Sequence, residues 1–214
     1  MSGKPMLIFD QDGTLWDSAA NVAVSWNIVF RREYPSLPDL TKEDIHSVMG
    51  LTMKEIEGKL HPSMPDECRS RLFNECCRYE VEYLREHGGD PYPQLRETME
   101  ELISRGYKLA IVSNCQCGYI DAFLSSIGVA DLFVDYEEWE RTGLVKGENI
   151  RLVMDRNHYA KGVYIGDTKK DREAALQARI PFIHAAYGFG TVDAADGVIH
   201  SLSELPALVS KMIG

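Results

Sequence analysis

Residues 6–14 read MLIFDQDGT, and the way this stretch ends decides how the rest of the chain is read. Met6, Leu7, Ile8 and Phe9 are apolar at every position rather than at alternate ones, the pattern of a strand buried on both faces, as in a parallel sheet flanked by helices. The run stops at Asp10 and Asp12, one residue apart, and turns through Gly13 and Thr14. In an open α/β sheet the carboxyl ends of the strands are where ligands bind. Two neighbouring carboxylates repel unless a positive charge stands between them or one keeps its proton, so the pair is either a costly accident or a site.

Outward from that strand the chain divides into two textures. Residues 19–87 read as helices separated by breakers, with no convincing strand. An apolar stripe runs from Val22 and Trp26 to Val29 and Phe30, Thr41 caps a second segment, and a long helix closes at Gly88 and Gly89 with Arg85 and His87 in its last turn. From residue 88 onward helix and strand alternate. YKLAIVSN, LFVDYEE, GVYIGD, PFIHAAY and GVIH are strand candidates, each preceded by a helical stretch or a turn. Such alternation predicts right-handed crossover units and a parallel sheet. The expected fold is α/β: a Rossmann-like parallel-sheet core formed by residues 1–18 and 88–214, with residues 19–87 inserted as an α-helical cap.

The bulk numbers narrow the function. A chain of 214 residues that is 44% hydrophobic can bury a full core. A formal net charge of -10 disfavours nucleic acid and anionic membranes as partners, since both would meet a like-charged surface. No apolar run approaches membrane-spanning length, and MSGKPMLIF is too short for a signal peptide, so cytoplasmic residence is the expectation. Five cysteines, Cys68, Cys76, Cys77, Cys115 and Cys117, lack both the spacing of a zinc site and the context of a disulfide framework; they are read as buried or loop thiols, with Cys115 and Cys117 protonated.

Three strands deliver different polar groups to one sheet edge. The first carries Asp10 and Asp12, YKLAIVSN carries Ser113 and Asn114, and GVYIGD carries Asp167, with Asp171 four residues on. Asp10, Asp12 and Asp167 supply hard oxygen ligands for an ion that takes few protein carboxylates and keeps its waters, the habit of Mg²⁺. The Ser113 hydroxyl and the Asn114 N–H suit phosphate oxygens at a turn into a helix. Lys146 supplies the positive charge that an acidic protein needs to meet an anionic substrate. Taken singly, each has a plainer reading as a helix cap, a turn former or a surface lysine; their joint order at strand ends points to a phosphoryl site.

DQDGT, VSN, a lone Lys146 and GDTKKD, in that order, resemble the four motifs of the haloacid dehalogenase superfamily, and the helical insertion after the first motif resembles the small cap of its phosphoglycolate phosphatase and β-phosphoglucomutase branch. The resemblance spans essentially the whole chain. It implies an aspartyl-phosphate formed on Asp10, with Asp12 as general acid and then base, Ser113 and the Asn114 N–H on the phosphoryl oxygens, and Lys146 neutralising charge on Asp10. It also implies Mg²⁺ held by Asp167, the Asp10 carboxylate and the Asp12 carbonyl, with Asp171 supporting the metal waters or Lys146. Because Asp12 is retained, phosphate-ester hydrolysis is favoured over dehalogenation, whose halide leaving group needs no proton. Gln11, where Leu is commoner in the branch, is expected to point away from the site. VMGLTMKEI resembles the family's substrate-specificity loop, which makes Thr52 and Lys54 candidate substrate contacts. The expected enzyme is a Mg²⁺-dependent phosphatase acting on a small phosphorylated metabolite of the phosphoglycolate or sugar phosphate class. A phosphosugar mutase and a catalytically idle binding protein are the alternatives.

Overall fold

A computed structural model describes residues 3–213. Strand β1 (Met6–Phe9) lies at the middle of a six-stranded sheet, and all four of its residues have no solvent exposure. After it the chain folds back through β2 (Trp16–Asp17) and enters four helices, α1 (Ala19–Glu33), α2 (Lys42–His46), α3 (Met53–Leu60) and α4 (Asp66–His87). It returns through β3 (Asp90–Pro91) and continues as α5 (Leu95–Ser104), β4 (Lys108–Ser113), α6 (Tyr119–Ile127), β5 (Asp135–Glu138), α7 (Trp139–Thr142), α8 (Lys146–Arg156), β6 (Gly162–Gly166), α9 (Lys169–Ala178), β7 (Phe182–Ala185), β8 (Gly197–Ile199) and α10 (Leu205–Ile213).

Every neighbouring pair in the large sheet is parallel, in the order β5-β4-β1-β6-β7-β8. Strands after β1 therefore leave it on both sides, and β1 is the point where the winding reverses. The crevice above such a point is where doubly wound sheets bind ligands. Successive β1 side chains enter opposite layers: Leu7 and Phe9 join the core that continues into the helical segment, whereas Met6 and Ile8 pack with Ile150, Val153 and Ala175 from α8 and α9. That double burial is why the strand reads as a continuous apolar run.

Helices α1 and α4 form the body of the inserted segment, where the indole of Trp26 meets the ring of Phe73 edge-on at 5.3 Å. Thr41 caps α2 as expected, its hydroxyl accepting from the Asp44 N–H while the Asp44 carboxylate accepts from the Thr41 N–H. The two crossings between this segment and the sheet lie together, because β2 and β3 pair antiparallel as a short ribbon, Trp16 opposite Pro91 and Asp17 opposite Asp90. Gly89 sits so close that an added Cβ would come within 2.8 Å of the Trp16 ring.

The structure departs from the sequence reading at two places. Strands β2 and β3 are two residues each, too short for any periodicity to reveal. The strand sought in LFVDYEE begins at Asp135, after its apolar residues, and buries Glu137 and Glu138. Arg141 and Arg156 make those glutamates tolerable, Arg156 pairing with Glu137 at 2.6 Å and Arg141 with Glu138 at 2.7 Å.

Candidate active site

Asp10 is the first residue beyond β1 and is 2% exposed; its backbone N–H donates to the Ile165 carbonyl of the adjacent β6. Lys146, at the first position of α8, is buried between two carboxylates, with Nζ 3.0 Å from Asp10 and 2.7 Å from Asp171. Burial opposes a charged lysine, but the two anions overcome it and raise the Lys146 pKa above its ordinary value. The same lysine, working against burial, holds Asp171 below the usual carboxylate range. Asp171 is fixed from its other side as well, since its second oxygen accepts from the Thr168 N–H at 2.9 Å and the Thr168 hydroxyl at 2.6 Å in the N-terminal capping box of α9.

Asp167 is the first residue beyond β6 and has no solvent exposure. One of its oxygens, Oδ2, accepts backbone N–H groups from Phe189 at 2.7 Å and Gly190 at 3.3 Å, while Oδ1 is buried with no hydrogen-bond partner. Oxygens of Asp10, Asp167 and Asp171 lie within 4.8 Å of one another. Burial, and then the repulsion of Asp171, push Asp10 up to about 7; burial with repulsion from both neighbours raises Asp167 well above its ordinary value. A buried oxygen lacking a partner inside a group of like charges is the situation a divalent cation relieves. The donor set is all oxygen, which fits Mg²⁺. Glycine makes the approach possible: Gly13 has φ +76° and a Cβ there would stand 2.3 Å from Asp167 Oδ2.

Asp12 is set apart from this cluster by its hydrogen bonds. Its Oδ1 accepts from Trp16 Nε1, the Ser18 hydroxyl and the Tyr119 hydroxyl, each at 2.9 Å. Burial raises its pKa to about 6 against the pull of those donors. A carboxyl poised there can hold a proton and surrender it near neutral pH.

Asp10, Asp12, Ser113 and Asn114 line one cavity beneath the helical segment, together with Gly50 and the residues around it. The Asn114 amide donates to the Gly50 carbonyl at 3.4 Å, tying the turn of VMGLTMKEI to the sheet edge. Thr52 is the N-cap of α3, where its hydroxyl and N–H both donate to Glu55. Lys54 lines an outer cleft between α3, α4 and the loop after β4, and not the cavity that holds Asp10. Sequence reasoning passed over Trp16, Ser18 and Tyr119 around Asp12, the Phe189 and Gly190 backbone on Asp167, and two further cavity residues, Glu80 and Gln116. The glycines of YGFG were the available signal for the 188–190 loop, since a Cβ at Gly188 would come within 2.3 Å of the Gly13 carbonyl. Gln11 is fully buried but does not line this cavity. Burial pushes the Cys115 thiol well above its ordinary value, so it stays protonated.

A family model of haloacid dehalogenase-like hydrolases matches residues 7–185. The phosphoglycolate phosphatase of Vibrio vulnificus is 26% identical over 222 residues, covering 94% of this chain and 93% of that protein. Among solved structures, a predicted phosphoglycolate phosphatase from Haemophilus somnus superposes with a TM-score of 0.83 at 19% identity, covering 96% of this chain and 97% of that one. CbbY from Rhodobacter sphaeroides, in complex with xylulose-(1,5)bisphosphate, superposes with a TM-score of 0.79 at 15% identity, covering 94% and 96%. These structural neighbours share the parallel-sheet fold described above.

Proposed function

The chain belongs to the haloacid dehalogenase-like hydrolase family, as a phosphatase, and from that premise we propose that it hydrolyses a small phosphorylated metabolite through an aspartyl-phosphate on Asp10, with Mg²⁺ as cofactor. The observation that carries this reading is the buried group at the reversal point of the sheet, in which Lys146 stands between Asp10 and Asp171 beside an unpartnered oxygen of Asp167. The phosphoglycolate or sugar phosphate class of substrate is supported by relatives named phosphoglycolate phosphatase and by the sugar bisphosphate in the CbbY complex.

In the first half of the reaction an Asp10 carboxylate oxygen attacks phosphorus; a new O–P bond forms as the ester P–O bond breaks, and the departing oxygen takes the proton of Asp12. Lys146 balances charge on Asp10 and the phosphoryl oxygens, while the Ser113 hydroxyl and the Asn114 N–H bind those oxygens. In the second half Asp12, now ionised, accepts a proton from water as that water attacks phosphorus, and the Asp10–phosphorus bond breaks to release phosphate. The pKa of about 6 at Asp12 suits both directions of transfer. Mg²⁺, held by Asp10, Asp167 and the Asp12 carbonyl, would supply charge stabilisation to the transferring phosphoryl group. Residues 19–87 would act as a cap that covers the core of residues 1–18 and 88–214, hinged at the β2–β3 ribbon, and exclude bulk water from the intermediate.

The test is phosphate release from a panel of small esters, with Mg²⁺ and with chelator, for the natural protein and Asp10→Asn. Mg²⁺-dependent release that the substitution abolishes is expected. Release that persists undiminished in Asp10→Asn would overturn the aspartyl-phosphate route.

A further inference from the structure

The end of the cavity away from the phosphoryl groups is built to a different rule. Val22, Ile45, Val48, Met49 and Ile56 make its walls. Among the described residues no Lys, Arg or His lines it; Lys146 is occupied by Asp10 and Asp171, and Lys54, Arg78 and Arg85 border the outer cleft instead. A carboxylate entering this space would lose its hydration and find no counter-charge, a cost of several kcal/mol by the usual estimates for buried ions.

Two polar side chains interrupt the apolar wall. Glu80, on α4, is 3% exposed, and its Oε2 accepts the indole N–H of Trp26. Gln116, in the loop after β4, is 8% exposed; its buried Nε2 makes no hydrogen bond of good geometry, although the amide stands close enough to Glu80 to lower that carboxyl's pKa. An unfilled donor therefore faces the same cavity as a carboxyl group. A hydroxyl satisfies both at once, accepting from the amide and donating to the carboxyl. An ammonium group has no lone pair for the Gln116 N–H, and a carboxylate brings a buried charge that no cation among the lining residues balances.

Resting on the phosphatase reading, we propose that this cavity selects esters whose leaving group is small, uncharged and hydroxyl-bearing, as in a polyol phosphate, that Glu80 and Gln116 read that hydroxyl, and that carboxylate-bearing esters such as phosphoglycolate are rejected. The cavity volume of about 50 Å³ has to take the phosphoryl group as well, which keeps the leaving group small, given that one water needs roughly 10–15 Å³ on the same measure. Burial pushes Glu80 up to about 8, with Trp26 and Gln116 holding it from going higher. Near neutral pH the wall opposite Asp12 is thus largely without charge, which suits a neutral guest. The inference sets this chain apart from the activity named for its relatives.

The experiment compares kcat/KM for glycerol 1-phosphate, phosphoethanolamine and phosphoglycolate, with Mg²⁺ present, in the natural protein, Glu80→Leu and Gln116→Leu. Expected are a preference for glycerol phosphate over phosphoglycolate of about tenfold or more, and a collapse of that preference in Glu80→Leu through loss of the glycerol phosphate rate alone. Should Glu80→Leu not fold, Gln116→Leu carries the same comparison. Phosphoglycolate or phosphoethanolamine hydrolysed as well as glycerol phosphate overturns the inference and leaves the phosphatase reading standing. An equal loss on all three esters assigns Glu80 a structural role and overturns the inference also. No release from these three with release from a sugar phosphate overturns the inference alone, and no release from any ester of the wider panel overturns both.

Discussion

Replacing Glu80 by Gln removes one titrating group from the interior while keeping its size and its acceptor for Trp26, so the stability of the pair of proteins should diverge with pH. Burial raises the Glu80 pKa from 4.5 to about 8 in the folded chain. A carboxyl whose pKa is raised on folding binds its proton more tightly in the native state. Its contribution is fully present below the unfolded value near 4.5 and is lost as pH climbs through the folded value near 8. At about 1.4 kcal/mol per factor of ten in proton affinity, the full loss is on the order of 5 kcal/mol, of which roughly 3–4 falls between about pH 5 and about pH 8. Asp10, Asp12 and Asp167 also carry raised values, but they are present in both proteins and cancel in the difference, apart from the repulsion of Asp12, the smallest of the causes acting on Glu80. Urea unfolding of the natural protein and Glu80→Gln at several pH values measures that difference directly. The natural protein should lose stability relative to Glu80→Gln steadily as pH rises, by a few kcal/mol in all. A difference that stays constant within about 0.5 kcal/mol across the range would refute the account of Glu80 as a carboxyl kept neutral by its burial.

Two further substitutions probe the charged end of the cavity. Gly13→Ala forces a Cβ into the Asp167 carboxylate at a backbone φ of +76°, and should lower both stability, by about 1–3 kcal/mol, and the Mg²⁺ dependence of thermal unfolding; unchanged Mg²⁺ stabilisation in calorimetry would show that Asp167 can move without cost. Lys146→Met leaves Asp10 and Asp171 buried without their shared partner, and should destabilise by about 3–5 kcal/mol, read in denaturant unfolding at neutral pH; a loss under about 1 kcal/mol would mean that the two carboxyls already share a proton.

How much of this was legible before any coordinates depends on whether neighbours in space were also neighbours along a strand. Asp10 and Asp167 follow buried apolar runs directly, and parallel strands bring their ends to one edge, so topology alone gathers them. Lys146 opens a helix that packs behind that edge, and a single lysine there carries no local pattern; it was legible only through its order among the other motifs. The β2–β3 ribbon was not legible, because two residues cannot display a period, and the burial of the β5 glutamates has no local signal because their arginine partners lie three to nineteen residues further on. Thr52 and Lys54 sit in a turn whose direction the sequence leaves open, and the structure turns one into a helix cap and sends the other to the outer cleft.

Glu80 shows why selectivity is harder to read than chemistry. It lies in DECRSRLFNECCRYEVEYLREH, where charged residues are frequent and most face water. Only the crossing of α4 against α1, which brings Trp26 to Glu80, decides that this one is buried over the site. The charges that handle phosphate are carried by the sheet, whose parallel pairing leaves strand ends little choice of position. The groups that meet the leaving group come from an inserted helix pair and a loop, so single substitutions there can change the guest without disturbing the strand ends. The two halves of the site are therefore separable. Variants at Glu80 or Gln116 should move the ranking of substrates, while variants at Asp10 or Lys146 should lower turnover of all of them alike.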